Sequence, residues 1–62
     1  MDFVEYRIVS AKATHMGNAI RNLETKVNEA IEQGWVPNGN PNYIPRAEHM
    51  FLQAMVRFDE EN

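Results

Sequence analysis

The chain has no cysteine, so neither a disulfide nor a thiolate zinc site can brace it. Histidine is nearly as scarce: His15 and His49 are the only imidazoles, too few for a histidine-rich metal cluster. No metal and no cofactor are expected. Cations are also in short supply, with six Lys and Arg against nine Asp and Glu and a formal net charge of −3. A surface for long DNA or RNA needs clustered positive charge, so long nucleic acid is not an expected partner. No apolar run approaches the roughly 20 residues of a membrane helix, and no cationic, apolar signal segment precedes the first strand-like stretch. A cytoplasmic protein without membrane contact is the expectation.

Length sets the next bound. Sixty-two residues make one domain, 1–62, whose acidic tail at 59–62 is expected to fray. A folded chain of this size buries only roughly 60% of the surface its unfolded form exposes, and is marginal alone. With disulfides and metal excluded, self-association is the remaining aid, which points to a homo-oligomer, a dimer or higher.

Against these absences stand three apolar segments. In "FVEYRIVSA" (3–11) Val4, Tyr6 and Ile8 alternate with Glu5 and Arg7, the pattern of a half-buried strand. Ile20, Leu23, Val27, Ala30 and Ile31 form one stripe at helical period, which predicts a helix over about 18–33. Asn18 is the expected N-cap. Gly34 is the expected stop, with Trp35 folding back toward Ala30 or Ile31. Glu24, Lys26, Glu29 and Glu32 are expected on the solvated helix face. A short strand at "WVPNG" is interrupted by Pro37 and suits a sheet edge. The last strand is "MFLQAMVRF" (50–58).

The order is β-α-β-β, an α+β domain with a three-stranded sheet covered on one face by one helix. A right-handed crossover makes the first two strands parallel, and the third returns antiparallel between them. The expected core face takes Val4, Tyr6, Ile8, Leu52, Ala54 and Val56. The opposite face would then show Phe3, Val9, Phe51 and Met55 to water, a patch suited to a self- or partner-interface.

"YRIVSAK" (6–12), "LETKVNEAIEQGW" (23–35) and "QAMV" (53–56) together resemble a small bacterial and phage family, the domain-of-unknown-function family seventeen thirty-seven. The resemblance covers most of the chain and implies a β-α-β-β fold; as the family's name says, it implies nothing about catalytic chemistry. Two stretches depart from the family pattern. "KATHMGN" lengthens the strand–helix connection, and Asn38, Asn40 and the 41–46 loop replace a more apolar hairpin. Phage members of comparable size are often counter-defence proteins, an analogy that touches no residue here.

No phosphate loop, nucleophile elbow or metal-spaced acid and histidine set is present, so catalytic residues are not expected. The segment "PNGNPNYIPRAEH" (37–49) is the richest in recognition chemistry. Asn38 and Asn40 offer carboxamides that both donate and accept, Tyr43 a stacking ring, and Arg46 a bidentate phosphate partner. Lys12 and His15 in the first connection can lie at the same end of the sheet. These six residues are the candidate site for a nucleotide-like or phosphorylated small ligand held, or sequestered, between subunits. Turn geometry alone accounts for the Asn and Pro, and leaves Tyr43 with Arg46 unexplained. The competing expectation is an inhibitor or adaptor that binds a host or phage protein through its exposed sheet face or edge.

Overall fold

The computed structural model describes residues 3–59, with side chains described from Val4 to Phe58. Five elements follow in order: β1 (Phe3–Ala13), α1 (Met16–Glu32), β2 (Val36–Pro37), β3 (Asn42–Ile44) and β4 (His49–Asp59). All strand pairings among the described residues are antiparallel and all are made to β4. β1 flanks β4 along its whole length, from Phe3 opposite Asp59 to Ala13 opposite His49. On the other flank β2 and β3 stand in tandem, Val36 opposite Val56 and Asn42 opposite Leu52. The sheet therefore has four strands rather than the expected three, because residues 42–44 resume pairing after a break. β1 and β2 are parallel to each other, as the crossover requires, with β4 between them.

The break is held in place. The Asn38 N–H still donates to the Ala54 carbonyl at 2.9 Å. Gly39 takes a positive φ of 85°, and its carbonyl accepts from Gln53 Nε2 at 3.0 Å. Gln53 is the one buried polar residue among the described side chains, and the same amide nitrogen also donates to Ala54 O. A buried carboxamide must find partners, and these two fix the loop to the strand.

α1 begins two residues earlier than expected. His15, in extended conformation, occupies the N-cap without a side-chain bond, and its carbonyl accepts from the Asn18 and Ala19 N–H groups. Asn18 lies inside the first turn instead, where its Oδ1 accepts from Arg21 Nη2 at 3.0 Å. The C-terminus is as the sequence predicts. Gly34 has φ of 95°, its N–H donates to Ile31 O, and the Trp35 N–H donates to Ala30 O, both at 3.0 Å. That pair of bonds is a Schellman motif, and it drops Trp35 onto Ala30.

The core is small: Ala11, Ala19, Leu23, Ala30, Trp35 and Met55, with Val9 and Val27 packed beside them. It lies on the opposite sheet face from the one expected. Val9, Ala11, Gln53 and Met55 face the helix, whereas Val4, Tyr6 and Ile8 are exposed. The register places Leu52, Ala54 and Val56, each half-buried, on that same uncovered face. The physical reason is close approach. α1 meets the sheet through Ala19 and Ala30, and small residues let a helix sit low over Ala11 and Met55. The bulky Val4–Tyr6–Ile8 row would hold it off. The helix stripe is rotated accordingly, so that Ile20 and Ile31 are exposed rather than buried. Lys26 is exposed, as expected, and its Nζ also reaches β1 and donates to Ser10 O at 2.8 Å.

Arg7 and Arg57 share the helix-side face and close the core at the Trp35 end. Their guanidinium carbons lie 4.4 and 4.7 Å from the indole centroid, within cation–π range. Arg57 is held there by Glu5, with Nη2 at 2.8 Å and Nε at 2.9 Å from the same carboxylate oxygen.

Candidate functional site

Two surfaces carry unspent chemistry: the loop end of the sheet and its uncovered face. At the loop end, β3 holds Tyr43 opposite Phe51, on the helix-side register. The Tyr43 ring stacks near His49, centroids 5.8 Å apart, and tilts against Phe51 at 4.9 Å. Tyr43 Oη and His49 Nδ1 are hydrogen-bonded at 2.6 Å. The sequence hid this pairing, because His49 looks like a loop residue until it is seen to be the first residue of β4. Alternation within β3 and β4 is the signal that could have found it.

Lys12 lies opposite Met50, on the other side of the sheet. Its Nζ is 3.7 Å from Glu48, an exposed ion pair worth little by itself. Arg46 Nη1 approaches Met50 Sδ at 3.9 Å. Lys12, Arg46, Ala47, Glu48 and Met50 enclose a cleft of about 150 Å³. Ligand pockets for drug-sized molecules run to about 300–1,000 Å³, so this cleft fits an anionic group and not a whole nucleotide.

Of the six residues expected to form one ligand site, the fold thus brings Lys12 and Arg46 together. Tyr43 is on the opposite side of the sheet. Asn38 and Asn40 are exposed in the break between β2 and β3, Asn38 beside Ala54, and neither lines the cleft. His15 is exposed at the start of α1.

The interface residues expected from the sequence need correction. Met55 is fully buried beneath Trp35, Val9 packs against the same core, and Phe51 is half-buried beside Tyr43. None of the three is on the open face, because that is the face α1 does not cover. The side chain of Phe3 and the tail beyond Asp59 lie outside the described residues. The apolar surface that is open belongs to Val4, Tyr6, Ile8, Val36, Ile44 and Phe58, between 36% and 62% exposed. Leu52, Ala54 and Val56 fill its middle. From Val4 to Ser10 on β1, and from Leu52 to Phe58 on β4, no position on this face is charged.

Fold and surface together define a small α+β domain, one helix on one side of an antiparallel sheet, with the other side bare. The chain belongs to the family described as Domain of unknown function (DUF1737), whose model matches residues 3–57. No curated protein matches the chain. No solved structure matches it either.

Proposed function

We propose that this is a non-catalytic binding protein whose working surface is the uncovered face of its sheet. The observation that carries the reading is the unbroken apolar face spanning Val4, Tyr6, Ile8, Val36 and Phe58. Monomeric soluble proteins rarely leave a contiguous apolar patch beyond about 300–600 Å² without a use for it. Recognition through such a surface needs shape and desolvation, not titrating groups.

Site-specific photo-crosslinking tests the reading. A benzoyl-phenylalanine at Tyr6, expressed in cells, is expected to give covalent protein adducts. The same probe at Glu32, exposed on the far side of α1, is expected to give none. Absence of any adduct from position 6 would refute the proposal.

The Lys12–Arg46 cleft supports a second reading, in which the protein holds the phosphate of a nucleotide-like ligand at the loop end, the base lying outside this copy. Nucleotides released on denaturation and detected by mass spectrometry would favour it, with Arg46→Ala abolishing the yield. A clean extract from folded, extract-exposed protein would exclude it.

A further inference from the structure

We infer that the occupant of the bare sheet face is a second copy of this chain, packed face to face and antiparallel about a two-fold axis. This rests on the reading that the face is a working surface, and adds the partner and its orientation.

Three observations favour a second copy over a different protein. The first is the deficit in the core. Among the described residues, three of the six buried apolar ones are alanines, and Met55 alone of the large side chains is fully buried. A domain of this size is marginal alone and has no cysteine to brace it, so it gains much from a further stabilising contact. Such help must be present whenever the protein is, and another copy always is. The second is shape. The radius of gyration is 13.2 Å and the extents are 46 × 18 × 13 Å, whereas a compact 62-residue domain would measure about 10.5 Å. The molecule has the proportions of one layer of a thicker body.

The third observation is the relief of the face, which is self-complementary. At one end the cross-strand pairs Val4–Phe58 and Tyr6–Val56 contain no small residue. At the other end Ile8–Ala54 and Ser10–Leu52 each contain one. A two-fold axis crossing the strands midway between the Tyr6 and Ile8 rows lays the bulky end of each copy over the shallow end of the other. The Val4–Phe58 row then faces Ser10–Leu52, and Tyr6–Val56 faces Ile8–Ala54. Large against small is how facing layers interdigitate at the usual separation of about 10 Å. A parallel overlay would set Phe58 against Phe58 at one end and leave a gap at the other.

The area is sufficient. The exposed Val, Ile, Tyr and Phe side chains offer on the order of 600 Å² per copy, so a pair would bury about 1,200 Å², the lower bound for a specific interface. The face is also uncharged over these rows, so a two-fold brings no like charges together.

The absence of cysteine makes the test clean, since single-cysteine variants carry one thiol each. Native mass at tens of micromolar should be that of two copies. A mixture of Val4→Cys and Ser10→Cys proteins, treated with a short bis-maleimide, should give mixed dimers in at least tenfold excess over either variant alone. Equal crosslinking of Val4→Cys with itself would overturn the antiparallel arrangement. A monomeric mass without crosslinks would overturn self-association altogether, and dimers crosslinked at Glu32→Cys and not at the sheet would overturn pairing through this face. The photo-adduct at Tyr6 separates the two levels of the argument. An adduct with a different protein overturns the second copy and leaves the working surface intact, whereas no adduct overturns both.

Discussion

Two glycines in α1 and its cap do opposite things. Gly34 holds φ at 95°, and a Cβ there would meet only Arg57 Cδ at 3.6 Å, so space does not forbid a side chain. Backbone geometry does: an L-residue at positive φ is strained. Gly17 is the second residue of α1, where a Cβ would meet Arg21 Nη2 at 3.9 Å, an ordinary contact, and glycine in a helix costs up to about 1 kcal/mol relative to alanine. Gly34→Ala should therefore lower the melting temperature and Gly17→Ala raise it, each by about 4–8 °C per kcal/mol in a chain this size. Thermal melts of the two variants side by side check the signs. Met55 is the residue with most to lose. At 0% exposure, Met55→Ala should cost about 2–5 kcal/mol, enough to unfold much of so slight a domain at room temperature, as urea titration would show. Trp35 returns part of what its burial gains, since its Nε1 is buried without a partner.

The elements show which parts of the fold were legible. Helix, stop signal and strand order could be read because each rests on local rules: a 3.6-residue period, a glycine at C′, a crossover of fixed hand. The covered face could not. Alternation in β1 separates Val4, Tyr6 and Ile8 from Val9 and Ala11, but says only that two faces exist. The usual assumption that the more apolar face is inside fails here, because helix docking was decided by the alanines. The separation of the six ligand candidates was hidden for a related reason. Tyr43 lies in β3, opposite Phe51 on the helix side, whereas Arg46 stands in the connection beyond the strand and lines the cleft with Met50. What could be read was that something at 38–41 interrupts the edge, and Gln53 is the residue that makes the interruption a defined structure. Gln53→Leu should release it: hydrogen exchange at the Asn38 amide should quicken at least tenfold, while the β1–β4 amides keep their protection.

At the scale of the whole molecule, the proposed pairing has a thermodynamic signature that a monomer lacks. If two copies fold as one unit, each tenfold rise in protein concentration adds about 1.4 kcal/mol per dimer. That should raise the melting temperature by about 4–6 °C. Calorimetry at three concentrations decides the matter, and a concentration-independent melt counts against the dimer. The Tyr6→Glu variant should lose the dependence together with a large part of its stability, because the charge would be buried against the other copy.

The register of β1 with β4 also bears on how the protein comes into being. Phe3 pairs with Asp59 and Ala13 with His49, so the first strand made finds its partner in the last. Until β4 has left the ribosome β1 has nothing to pair with, and β2 and β3, which bind only to β4, wait as well. The Schellman-capped helix and Trp35 can form early, since their contacts are local. The sheet arrives all at once when β4 emerges. Until then an apolar strand is bare on a growing chain, and any slowing of elongation before β4 is complete lengthens the interval in which it can find the wrong neighbour.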